Sequence, residues 1–187
     1  MEGELARYDV LHLATHGVTD ARVALRSALV LSQTADDNGR LTALNMKERW
    51  RLRAELVVLS GCETGLGRLS SGEGYLGFSQ ALFLAGARSL VVSLWKVDDQ
   101  ATALLMVRFY ENLLGKREGL PAPLPRAEAL GEAKRWLRGL TATEAGEQAA
   151  RLPRGGERPK PAATPAGVHP YAHPHYWAGF VLIGDPG

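Results

Sequence analysis

A single cysteine, Cys62, in 187 residues excludes an internal disulfide and a multi-cysteine metal site. No apolar run approaches the roughly 20 residues that span a bilayer. The opening Met1-Glu2-Gly3-Glu4 is acidic and polar, unlike the basic-then-apolar pattern of a secretory leader. An excess of either charge is also missing. The 22 basic residues face 20 acidic ones, and a net +2 provides no basic field of the kind nucleic-acid binders use. No internal repeat is present. These absences set the expectation of a cytoplasmic protein with neither nucleic-acid nor membrane partners.

What remains is an ordinary globular composition. Hydrophobic residues make up 45% and charged residues 22%, and 187 residues can bury a real core, so residues 1–187 are read as one domain. Four short apolar runs, near 10–14, 56–60, 89–94 and 180–183, are continuous rather than alternating, which favours strands covered on both faces. Helical patterns lie between them. Thr42 caps a short helix through Trp50, and a mostly apolar helix covers 74–85. Another covers 100–114 before Gly115, and an amphipathic one covers 126–138. A hairpin is expected where 28–32 meets Arg40-Leu41 through Asp37-Asn38-Gly39. Alternating strands and helices imply an α/β fold with a parallel, doubly wound sheet. Residues 141–173 hold or border six prolines and read as a mobile surface loop.

Ligands of such sheets gather past the carboxyl ends of the strands. His16 follows the first strand and Cys62 the second, each beside a glycine. A thiol attacks a carbonyl as thiolate, and a neighbouring histidine can take its proton. The N–H groups of Gly17 and Cys62 can form an oxyanion hole. Taken singly, Cys62 reads equally as a small buried hydrophobe and His16 as a strand-end residue. Their matching positions favour the dyad. Asp98 and Asp99 follow Leu94-Trp95-Lys96-Val97. One of them is expected to cap the next helix and the other to pair with a basic substrate side chain. Spacing alone leaves open which does which.

Other residues draw blander readings. His12 and His16 are four apart on an extended strand and turn, where they would not share a face as they would on a helix, and His169, His173 and His175 read as solvated or packing residues, so no metal is expected. Gly65, Gly67, Gly72 and Gly74 match neither a P-loop nor a dinucleotide fingerprint, and no cofactor is implied. Phe109, Tyr110, Trp95 and Trp177 read as core residues rather than a stacking platform.

Several segments, in order, resemble the CHAT domain family: His12-Leu13-Ala14-Thr15-His16-Gly17, Leu59-Ser60-Gly61-Cys62-Glu63-Thr64-Gly65, Gly72-Glu73-Gly74, Ala85-Gly86-Ala87-Arg88-Ser89, Ser93 to Thr102, and His175 to Gly184. The resemblance runs from about Tyr8 to Asp185 and leaves out the Pro-rich stretch. It implies a three-layer caspase–hemoglobinase-like fold with a mostly parallel sheet. It also implies a cysteine endopeptidase with a His16/Cys62 dyad, cleaving protein or peptide substrates after a basic residue held by Asp99, with Asp98 in reserve. Such domains are usually joined to tetratricopeptide repeats, so a regulatory repeat region supplied by a longer chain is a further expectation. The family fold has strand–helix units before the histidine strand, whereas seven residues precede Tyr8 here. The chain therefore reads as a domain incomplete at its N-terminus. Its alternative role is a weak or inactive interaction or scaffold module. A flavodoxin-like binding domain is a third reading.

Overall fold

The computed structural model describes residues 3–20, 22–35, 37–60, 73–152 and 167–187. In chain order the strands are β1 (Val10–Leu13), β2 (Gly17–Val18), β3 (Ala28–Val30), β4 (Arg40–Thr42), β5 (Leu56–Leu59), β6 (Ser89–Ser93) and β7 (Phe180–Gly184). The helices are α1 (Ala43–Arg49), α2 (Glu73–Ala85), α3 (Asp99–Leu113), α4 (Arg126–Gly139) and α5 (Ala142–Arg151). The chain divides into two compact units. One comprises Met1–Lys96 with Gly179–Pro186, the other Val97–Ala178 with Gly187.

The first unit holds both sheets. The larger has the order β1-β5-β6-β7, and the smaller, antiparallel one has the order β2-β3-β4. β1, β5 and β6 are parallel, as expected. β7 departs from the purely parallel pattern: it pairs with β6 antiparallel, from Ser89↔Gly184 to Ser93↔Phe180. The result is a mixed α/β fold with a mostly parallel sheet.

β5 and β6 are buried along their whole lengths, which explains the unbroken runs Leu-Val-Val-Leu and Ser-Leu-Val-Val-Ser. The buried hydroxyls of β6 are partnered, Ser89 donating to the Glu55 carbonyl and Ser93 to that of Trp95. β1, an edge among the described strands, alternates between exposed and half-buried. The core joins Val57, Leu59, Leu90 and Val92 to Leu29 of the small sheet, to Ala43 and Met46 of α1, and to Phe78, Ala81 and Leu82 of α2. α1 starts in a capping box, with Thr42 accepting from the Asn45 N–H while the Asn45 side chain accepts from the Thr42 N–H. At the exit of α2, Gly86 has φ 112°, and a Cβ there would meet the Leu52 carbonyl oxygen at 2.3 Å, so this turn needs glycine.

In the second unit α3 packs on α4, burying Leu104, Leu105 and Phe109 of the former with Ala129, Ala133 and Leu137 of the latter. The stretch expected to be loop from 141 to 173 begins with a helix, α5. Its own capping box forms it. The Thr141 hydroxyl accepts from the Glu144 N–H at 3.3 Å, and the Glu144 carboxylate accepts from the Thr141 N–H at 2.8 Å. Ala145 and Ala149 give it a buried face. Residues 153–166, which carry four of the six prolines, lie outside the described residues. No helix among the described residues is long and apolar enough to cross a membrane.

Candidate functional site

The geometry starts from β1 and β5. They are parallel neighbours in the register Val10↔Leu56 to Leu13↔Leu59, so both leave the sheet at the same edge. His16 is three residues beyond Leu13, and Cys62 three beyond Leu59. The Ser60 N–H donates to the Leu13 carbonyl at 3.2 Å, which continues the pairing past the end of β5. Cys62 itself, with Gly65, Gly67 and Gly72, lies outside the described residues.

His16 is exposed, at the passage from β1 into β2. Two bonds hold this passage to β3. The Val30 N–H donates to the His16 carbonyl at 2.8 Å, and the Thr15 hydroxyl donates to the Val30 carbonyl. The first bond makes His16 and Val30 a hydrogen-bonded pair, one step beyond Gly17↔Leu29 in the same register. Antiparallel pairs alternate in type, so Gly17 faces Leu29 as a non-hydrogen-bonded pair. The Gly17 N–H is therefore turned away from β3, toward the side of β2 that no described strand pairs.

A histidine outside the expected dyad bridges the two strands. His12 Nε2 lies 2.6 Å from Ser60 Oγ, linking β1 to the residue that follows β5. Nothing in the sequence signalled this bridge, whose partner lies 48 residues away and comes close only once β1 and β5 pair. Although part of the side chain is exposed, desolvation of the ring lowers the His12 pKa below its ordinary 6.5. The unfolded chain thus binds a proton near pH 6.5 that the folded one resists. Stability is fully present above that pH and is lost as pH falls below it. Urea unfolding at pH 7.5 and 5.5 should show this drop in the parent protein and a smaller one in His12→Gln. An equal drop in both would remove His12 as the source.

The two aspartates separate in role. Asp98 is the N-cap of α3, its carboxylate accepting the Ala101 N–H at 2.8 Å. Asp99 is the first residue of the helix, and both are exposed. The loop histidines pack locally. His169 Nδ1 is 3.2 Å from the Leu140 carbonyl, and His173 Nδ1 accepts the His175 N–H at 3.1 Å. The His175 ring meets Tyr176 edge-on. Among the expected core aromatics, Phe109 is fully buried and Tyr110 half-buried. Trp177 lies beneath the Arg138 guanidinium at 5.7 Å.

A family model of the CHAT domain matches residues 1–185. Tetratricopeptide repeat protein 28 of Mus musculus is 30% identical over 145 residues, covering 78% of this chain and 4% of that protein. The Homo sapiens protein of the same name is 28% identical over 135 residues, covering 72% of this chain and 4% of its own length. The chain thus spans about 4% of the length of these curated relatives.

Proposed function

The chain belongs to the CHAT domain family, and from that premise we propose that it is a cysteine endopeptidase of caspase–hemoglobinase-like fold. The observation that carries the reading is the Leu13↔Leu59 register, which sends the chains bearing His16 and Cys62 off one sheet edge in step. In the proposed reaction His16 accepts the Cys62 thiol proton, and the thiolate attacks the scissile carbonyl carbon. The Gly17 and Cys62 N–H groups stabilise the oxyanion, and the direction of the Gly17 N–H away from β3 supports its part. His16 then passes its proton to the leaving amine as the C–N bond breaks, leaving a thioester. Water, deprotonated by His16, hydrolyses the thioester and restores the thiol.

Asp99 is the proposed partner of a basic residue before the scissile bond. Its exposed position in the first turn of α3 is compatible with that role, and the Asp98 carboxylate caps the helix. A peptide-library cleavage profile tests this directly. The parent protein should cut after Arg or Lys. Asp99→Ala should lose that preference, whereas Asp98→Ala should keep it and lose about 1 kcal/mol of stability. Cleavage at non-basic sites alone would overturn the specificity, and no cleavage of any member by folded protein would overturn the reaction.

The long relatives, named for their repeats, support placing this domain in a longer chain whose tetratricopeptide region regulates it. A cytoplasmic setting belongs to the same proposal. A second reading, a non-catalytic interaction module, draws on the edge position and partial exposure of β1, which leave the histidine strand less supported than β5.

A further inference from the structure

The small sheet places a basic cleft beside His16. β3 pairs with β4 through Val30↔Arg40, and Val30 also faces His16 across β2. His16, Val30 and Arg40 therefore form one row across three strands, with their side chains on one face. Val18, two residues past His16, shares that face. The opposite face carries Gly17, Leu29 and Leu41, and Leu29 and Leu41 belong to the core. The His16 face is thus the outer one, and Val18 and Val30 are 44% and 38% exposed on it. Two strand spacings put Arg40 about 10 Å from His16, the span of roughly three residues of extended peptide.

A cleft of about 350 Å³ opens at this point, lined by Val18, Thr19, Asp20, Arg22, Arg26 and Arg40. Its loop is fixed from inside. The Asp20 N–H donates to the buried Ser27 hydroxyl at 3.1 Å. The Asp20 carboxylate accepts the Arg22 and Val23 N–H groups at 2.8 and 2.9 Å. These bonds, Val23's first, hold its carboxyl below the ordinary range, with the Arg26 and Arg22 charges adding to the effect. Asp20 is therefore a fixed anion that offsets one of three guanidiniums. Among the described residues, Arg22, Arg26 and Arg40 form no ion pair with any carboxylate.

We propose that this cleft is a subsite for acidic side chains of a peptide, bound about three residues from the scissile bond. The biological setting rests on the peptidase reading above, but the binding does not depend on turnover. Three forked donors suit carboxylates, which they can bind in pairs of parallel hydrogen bonds. A nucleic-acid backbone fits less well, because Asp20 sits in the lining and the chain's net +2 supplies no wider basic field. Among the described strands β2 is also an edge of its sheet, the position at which an extended peptide can add a strand.

The test is fluorescence anisotropy with the Cys62→Ala protein and two fluorescein-labelled decapeptides. One carries Glu-Glu-Glu and its counterpart Gln-Gln-Gln. The Glu peptide should bind about tenfold tighter at low salt, equivalent to about 1.4 kcal/mol, and less so as salt rises. The triple variant Arg22→Gln, Arg26→Gln, Arg40→Gln should erase the preference, and Arg40→Gln alone should weaken it about threefold. The charge-matched Arg7→Gln, Arg49→Gln, Arg53→Gln control, at three exposed positions outside the cleft, should keep it. Equal binding of the two peptides, or a preference surviving the triple variant, would overturn the subsite. So would a labelled single-stranded decanucleotide binding as tightly as the Glu peptide. Failure here leaves labelling of Cys62 untouched, and failure of labelling leaves this result untouched.

Discussion

Replacing Cys62 by alanine is expected to lower kcat/KM toward an arginyl peptide by about a thousandfold or more. The reason is chemical. Alanine offers no nucleophile, and the remaining N–H donors and peptide-binding groups supply only the residual stabilisation of a non-covalent site. His16→Ala should cost about as much, because the thiol then lacks the base that makes it a thiolate and the leaving amine lacks its acid. In the proposed dyad the two act as one unit, so the double variant should be little worse than either single one. Steady-state kinetics on the three variants reads this directly. His16 is exposed at a strand end, so its replacement should leave the thermal midpoint near that of the parent protein. A double variant that multiplied the two single losses would place Cys62 and His16 in separate tasks.

The largest expected loss of stability lies in the second unit, at Glu132. Its carboxylate is four-fifths buried and receives a bidentate fork from Arg108, at 3.0 and 2.7 Å, and a further bond from Arg117 at 2.9 Å. The Asn112 side chain donates to it as well. Arg108 also lies over the Trp136 ring, at 5.1 Å, which fixes the guanidinium plane. Glu132→Ala removes the shared acceptor of all three donors, leaving Arg108 only the more distant Glu111 at 4.0 Å and Asn112 only the Ala129 carbonyl at 3.2 Å. It should cost about 3 kcal/mol, since removing one partner of a buried ionic network leaves uncompensated charge. Urea denaturation measures it, and a loss within about 0.5 kcal/mol would reduce the network to surface pairing.

The same residue sets an acid limb. Burial alone raises the Glu132 carboxyl, but hydrogen bonds from Arg108 and Asn112 and the charges of Arg108 and Arg117 outweigh it, so the net pKa is lowered from 4.5. A carboxyl depressed in the folded state contributes stability above its unfolded pKa. That contribution is lost as pH falls from about 4.5 through the folded value. Glu132→Gln should flatten this limb. The His12 effect, which begins near pH 6.5, lies in a separate window.

What was legible in the sequence follows from how local each signal is. β5 and β6 could be placed because strands buried on both faces carry continuous apolar runs, Leu56–Leu59 and residues 90–92 here, and the β3–β4 hairpin because Asn38-Gly39 demands a left-handed turn. Gly39 indeed has φ 69°, with its N–H held by the Asp37 side chain. The cap at Thr42 needed only a neighbour three residues on. α5 was hidden by the prolines that follow it, although Thr141 and Glu144 carry the same capping signature as α1. The direction of β7 was not readable, because an apolar run carries no sense of direction and the long connection from β6 permits either. The site was legible only in part. His16 and Gly17 announce themselves by residue type at a strand end. The bridge from His12 to Ser60 and the row from His16 to Arg40 exist only once strands distant in sequence are paired.

The central claim is that Cys62 is a nucleophile activated by His16. Its most direct measurement is incubation with a peptidyl-arginine acyloxymethyl ketone, followed by peptide mapping in a mass spectrometer. One adduct on Cys62, lost in His16→Ala protein that remains folded, is the predicted result. Folded parent protein that takes no label, or takes it at a residue other than Cys62, would contradict the account.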